Sequence, residues 1–277
     1  MKYNKYGRSA IGGGAFGKAR DCQMRRRPAC TFIASPDLGP WTATMVRTLI
    51  KNRKNKAAGA DGRRMEEFKD WPLELCTALG RFFNLVELRG GWPQSVRYAL
   101  VAMLAKEGTG RVDDFRPIVL LSVVYRLWAK GHGRRLRAWL VTNGVLKPGA
   151  AGSADIQAYE LALKLAEARL DRLPISGLAI DWSKCYDHVA IDLVVQVAQA
   201  AGLPAALWKP VTNMYRAPRS VLLGGCAAEA REPSHGITPG CPVAAELLAL
   251  VAHMLVTDLK QLGPGDLSPP VRRRPDG

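Results

Sequence analysis

The stretch that most limits how this chain can fold begins at Leu178-Ala179-Ile180, runs into Asp181 and continues as Trp182-Ser183-Lys184-Cys185-Tyr186-Asp187. The apolar run is too short for a helix and is bounded upstream by Pro174 and Gly177, which predicts a buried strand. Beyond Asp187 the period changes. Val189, Leu193, Val194, Val197 and Ala198 recur at helical spacing, and Asp187 stands where it would cap that helix. The unit is therefore strand, carboxylate, tight turn, helix. A carboxylate at the end of a strand can hold a divalent cation, or it can simply end the strand. Asp181 by itself allows both.

Charge narrows the partners. The 277 residues carry a formal net charge of +16, and nearly half of them are apolar. That leaves room for one large domain or two modest ones around a sizeable core. An excess of this size favours a polyanion, most commonly nucleic acid, although an ordinary basic soluble protein remains open. No basic amphipathic helix with a bulky apolar face stands out, so a membrane partner is not expected. The six cysteines form no C-x-x-C pair, and the four histidines lie at no metal-ligand spacing from them. Reduced thiols and an intracellular chain, in nucleus or cytoplasm, are expected. The longest apolar segment, 243–256, is interrupted by Glu246 and His253 and is too short to span a bilayer.

Residues 1–40 are rich in Gly, Arg and Lys with little periodicity, and a disordered basic arm is expected there. Gly12-x-Gly14-x-x-Gly17 matches a dinucleotide fingerprint only formally, since no apolar strand precedes it. A short helix is predicted over 41–53. It leads to the basic run ending at Lys56 and to a Gly-rich turn, Gly59-Ala60-Asp61-Gly62, suited either to phosphate contact or to a common Asp-Gly turn. A helix is predicted over 66–89, a strand over 98–104 finishing near Lys106, and a second extended run after Asp113-Asp114. The helix predicted over 123–141 carries Arg126, Lys130, Arg134, Arg135 and Arg137. That basic face could line a nucleic-acid track or be a solvated surface. Helices over 159–173 and up to Tyr215, a strand or hairpin at 220–223, and a helix from Val243 complete the pattern.

Four of these segments, in order, resemble reverse transcriptases of the non-LTR-retrotransposon, or LINE, type. Lys56-Ala57-Ala58-Gly59-Ala60-Asp61-Gly62 is similar to the "K-x-x-G-x-D-G" segment that opens the fingers. Lys106 with Asp114-Phe115-Arg116-Pro117-Ile118-Val119-Leu120-Leu121-Ser122 resembles the fingers hairpin. Asp181 to Asp187 resembles motif A, and Gly236-Ile237-Thr238-Pro239-Gly240-Cys241-Pro242 resembles motif B, "G-x-x-Q-G-x-P-x-S-P". The pattern has departures. Pro239 replaces the Gln of motif B and Ala244-Ala245 replace its Ser-Pro. Residues 146–155 keep Gly152, Ser153 and Asp155 of a further family segment but lack its Gln, Phe and Arg.

The resemblance implies an α+β fold: the fingers and partial palm of a right-hand polymerase, rich in helices, with a small antiparallel palm sheet. Residues 41–174 would form the fingers-like region with part of the palm, and 175–260 a partial palm carrying motifs A and B. Residues 261–277 would be a disordered tail. It implies that Asp181 ligates metal, two Mg²⁺ ions being expected in the intact enzyme, and that Tyr186 gates the sugar. Lys106 and Arg116 would bind the triphosphate, and Gly240 would shape the pocket floor. Lys56, Arg126, Lys130, Arg134 and Arg135 would contact nucleic acid. Partners would be an RNA template, a DNA primer and dNTP, joined by two-metal phosphoryl transfer. The family's motif C, an aromatic-x-Asp-Asp hairpin, has no counterpart after Cys241. This chain alone is therefore expected not to polymerise DNA. Two other readings stay open: a catalytically inactive nucleic-acid-binding remnant of a retroelement, and a group II maturase-like splicing factor that binds RNA.

Overall fold

Two apolar runs separated by a polar, glycine-containing loop pair with each other and form the centre of the fold. The computed structural model describes residues 32, 34–51, 57–105, 115–147, 154–173 and 184–261. Strand β1 (Ala99–Ala105) pairs antiparallel with β2 (Phe115–Leu121), Ala99 opposite Leu121 and Leu104 opposite Arg116. Strand β3 (Arg219–Leu223) lies on the other side of β1 and runs parallel to it, followed by a short antiparallel β4 (Cys226–Ala227). The order is β2-β1-β3-β4. The sheet is thus mixed and not purely antiparallel. The physical reason is the connection: an intervening series of helices returns the chain to the same end of β1, and a parallel pair needs such a crossover.

The helices follow the sequence pattern with informative exceptions. Helix α1 is Ala43–Lys51, α2 Leu73–Arg89, α3 Val123–Thr142 and α4 Ala154–Leu170. The segment 66–89 is not one helix. A 3-10 turn over Met65–Phe68 is separated from α2 by Trp71-Pro72, because proline disfavours helical geometry in the residue before it. A four-residue helix α5 (Cys185–His188) precedes α6 (Ile191–Ala200), whose N-cap is Ala190 without a side-chain cap. Asp187 therefore does not cap the helix that follows; it sits inside the short α5. Helices α7 (Ala205–Tyr215) and α8 (Ala244–Gln261) complete the set. The strand expected at 178–180 lies outside the described residues, as do the basic arm before residue 32 and the tail after 261.

The core forms where α1 packs on α2 and α3, α2 on α7, α6 on α7 and α8, and α3 on α8. Trp128, Tyr125, Tyr215 and Phe83 are its largest fully buried side chains. Trp92 meets Tyr125 and Trp128 edge-on, each at 5.4 Å between ring centroids, a geometry worth roughly 1 kcal/mol per pair beyond burial. Helix α3 is the spine. Its buried face runs from Val123 through Leu127 and Leu136 to Leu140, while Lys130 and Arg134 lie on its exposed face.

Candidate nucleic-acid and nucleotide site

The turn at 184–190 is built on a left-handed lysine. Lys184 has φ 48 and ψ 39, a conformation that costs an L-residue on the order of 1 kcal/mol. It directs the chain into α5, so that Tyr186 lies half-buried against the core with its carbonyl facing the 236–242 loop. The loop's backbone then binds the turn. Ile237 N donates to Tyr186 O at 2.7 Å, and Gly236 N donates to Val189 O at 2.8 Å. Burial raises the Tyr186 phenol above its ordinary value of 10.0, with smaller contributions from neighbouring Cys185 and Glu246.

The same loop reaches the hairpin. Gly240 has φ +91, and a Cβ there would sit 3.2 Å from Val119 O on β2. Both its backbone conformation and its close approach to β2 favour glycine. Beneath the loop lies a neutral polar centre. Cys241 Sγ and Tyr125 Oη share a hydrogen bond at 3.0 Å, and the Tyr215 hydroxyl lies beside the same thiol. Burial pushes the Cys241 thiol above its ordinary value and both phenols well above theirs. All three therefore stay uncharged at neutral pH. Arg219 closes the arrangement, its Nη2 donating to Tyr215 O at 2.7 Å and to Thr238 Oγ1 at 2.9 Å. Burial lowers the Arg219 guanidinium below its ordinary value, and the charge of Asp187 is among the groups that oppose this shift.

The first sequence segment docks onto the second. Asp61 Oδ2 accepts from Ser122 Oγ at 2.7 Å and from Val123 N at 3.1 Å, so a carboxylate satisfies the start of α3. Gly59 passes so close to β2 that a Cβ there would lie 2.3 Å from Leu121 O. The segments that begin at Gly59, Phe115, Lys184 and Gly236 are thus joined by short backbone approaches and hydrogen bonds.

The expected site residues divide into three groups. Asp181, Lys106 and Lys56 lie outside the described residues. Arg116 is exposed on β2, while Tyr186 and Gly240 lie in the turn and loop just described. Among the basic residues of α3, Arg126 and Arg135 are engaged inside the protein. Arg126 Nη2 donates to Ala57 O at 3.0 Å, and burial lowers its guanidinium, opposed by the charge of Asp61. Arg135 donates to Leu38 O and Gly39 O and lies 5.4 Å from the Trp41 ring centroid. Lys130 and Arg134 are exposed. Among the described residues no group of three or more His, Cys, Asp or Glu could hold a metal ion, so these residues by themselves do not form a two-magnesium site.

Sequence reasoning passed over Glu246 and Arg219. Glu246 is 8% exposed on α8, with Oε1 3.6 Å from Arg137 Nη1 and no hydrogen-bond partner for Oε2 among the described residues. Its interruption of the apolar run 243–256 was the available signal, since an acid among core positions needs a reason.

No family model matches the chain. No described helix is long and apolar enough to cross a membrane. The chain is 26% identical over 214 residues to the Transposon TX1 uncharacterized 149 kDa protein of Xenopus laevis, a likeness that takes in 75% of this chain and 16% of that protein. It spans a small part of its relative's length, and the likeness supports an origin in a transposable element.

Proposed function

We propose that this chain is the fingers and partial palm of a retroelement reverse transcriptase and that it binds nucleic acid. The observation that carries the reading is the convergence of segments near Gly59, Phe115, Tyr186 and Gly236. They lie far apart in the chain, resemble one family in order, and are bound to one another through backbone contacts. The likeness to a transposon protein and the charge of +16 support it.

In this reading each residue has a role that its own chemistry supports. Arg116 offers a planar fork to phosphate oxygens from an exposed strand position. Tyr186, neutral and half-buried, presents a rigid ring at the turn. Gly240 lets the loop lie close against β2. Asp181 would hold Mg²⁺ in a longer protein, and the metal would stabilise the charge of the phosphoryl group being transferred. A second reading is an inactive nucleic-acid-binding remnant of a retroelement, which the same likeness and the charge of +16 also support.

The test has two arms. Fluorescence anisotropy of the chain with an RNA–DNA hybrid should show binding that weakens steeply with salt. Photo-crosslinking with an azido-dNTP should label the wild type, and label Arg116→Ala at least about fivefold less. Absence of hybrid binding at low salt overturns the nucleic-acid reading. Binding without any dNTP crosslink leaves the inactive remnant as the correct one.

A further inference from the structure

Between α1 and α3 lies a cavity of about 280 Å³ that the segments above do not touch. Its floor is apolar, formed by the Trp41 edge and by Met45. One wall carries Thr44 and Thr48 of α1, and the other Arg134 and Arg135 of α3. Arg135 is fixed by the carbonyls of Leu38 and Gly39 and by the Trp41 ring, so its guanidinium is a rigid plane. Arg134 is exposed at the rim and makes no ion pair among the described residues. Arg47 and Lys51, four residues apart and exposed, add two more cations to the helix that forms one wall.

The geometry points to a pocket for a single unstacked base of single-stranded nucleic acid, with a flanking phosphate on Arg134. The inference rests on the nucleic-acid reading above but concerns a separate site. Charge complementarity commits the occupant: no carboxylate lines the cavity, and two arginines, Arg134 and Arg135, do. An apolar floor beside a fixed guanidinium suits the faces of a base, which stack on aromatic rings and on arginine planes. Thr48 Oγ1 already donates to Thr44 O at 2.9 Å, which leaves its oxygen turned to accept from a base edge. A duplex keeps its bases stacked and paired, so it cannot enter. The pocket therefore discriminates single strands from double strands.

Thr48→Phe fills the cavity from an exposed helical position without altering charge, and its thermal melt reports whether the fold is kept. Anisotropy with a single-stranded RNA and with a duplex RNA of equal length is then compared between wild type and variant. The variant should bind the single strand roughly tenfold more weakly and the duplex as the wild type does. Independently, wild-type protein irradiated with a 5-iodouridine-containing single strand should give adducts on the peptides holding Trp41 or Met45. Unchanged single-strand affinity in a folded Thr48→Phe, equal weakening for both RNAs, or adducts only elsewhere each overturns the pocket. In those cases steep salt-dependent binding by the wild type leaves the wider nucleic-acid reading standing, whereas no binding to any RNA at low salt removes both. If Thr48→Phe does not fold, the adduct map alone decides.

Discussion

Among the described residues, the polar centres around Glu87 and around Cys241 are held by different forces. The centre around Glu87 depends on a charge. Glu87 Oε1 accepts from Trp41 Nε1 at 2.5 Å, from His132 Nε2 at 2.7 Å and from Trp128 Nε1 at 2.8 Å. His132 is fully buried, and burial lowers its pKa against the opposing pull of Glu87. The pair is therefore a neutral imidazole donating to a carboxylate, not an ion pair. The three donors hold Glu87 below its ordinary value in spite of its own burial. The centre around Cys241 contains a thiol and two phenols, all neutral at physiological pH. One centre fastens α2, α3 and the segment leading into α1 by charge-assisted hydrogen bonds. The other supports the 236–242 loop with groups that do not titrate near neutrality. The groups beneath the loop thus keep their protons near neutrality, while the His132–Glu87 pair beside them changes its protonation in acid.

The largest expected effect separates the two centres directly. Glu87→Ala leaves three buried donors without their acceptor and should destabilise the protein by about 4 kcal/mol in urea unfolding. If the loss is below about 1 kcal/mol, charge is not what holds that region. Gly59→Ala should cost about 2–3 kcal/mol, because the added Cβ meets the backbone at Leu121 and not a flexible side chain. Its loss should be independent of pH.

Acid should weaken the Glu87 centre alone. Both His132 and Glu87 have folded-state pKa values below their ordinary ones, 6.5 and 4.5, so the unfolded chain binds more protons as pH falls. Stability should be fully present above pH 6.5 and decline below it, by up to about 2 kcal/mol at pH 5 from His132. Urea titrations of wild type and His132→Phe across pH 5 to 7.5 check this: the variant should lose the upper part of the slope. Tyr125→Phe, in the neutral centre, should cost about 1 kcal/mol with no change in that slope. Smallest is Arg134→Ala. It should leave stability within about 0.5 kcal/mol and reduce the log–log salt slope of single-strand binding by about 0.7.

Local features were legible in the sequence, and contacts between distant segments were not. The hairpin of β1 and β2, the long α3 and the loop before α8 follow from period and from turn residues that act over a few positions. The break at Trp71-Pro72 was also readable, but the apolar spacing on both sides outweighed it in the sequence argument. Asp187 satisfied every local rule for a cap, yet the chain inserts α5 between it and α6. Asp61 serves the start of α3 from some sixty residues away, a partner that no window could reveal. Glu87 lies at the edge of the apolar face of α2, beside Phe83 and Val86, and its position hints at burial. Its three donors come from α3 and from Trp41, two residues before α1. The parallel partner of β1 was equally out of reach. Asp181, the residue most exposed to sequence argument, lies outside the described residues.

The parallel pairing of β1 with β3 also has a consequence for how the chain is made. More than a hundred residues separate Ala105 from Arg219. At the usual pace of translation, the edge of β1 that will receive β3 stays open for on the order of ten seconds. The hairpin with β2 can close at once, but the second edge must wait, with Ala99, Leu100, Val101 and Ala102 at its pairing positions. An unpaired strand edge of this kind is a surface a ribosome-associated chaperone can cover, and slower codons before residue 219 would lengthen the exposure.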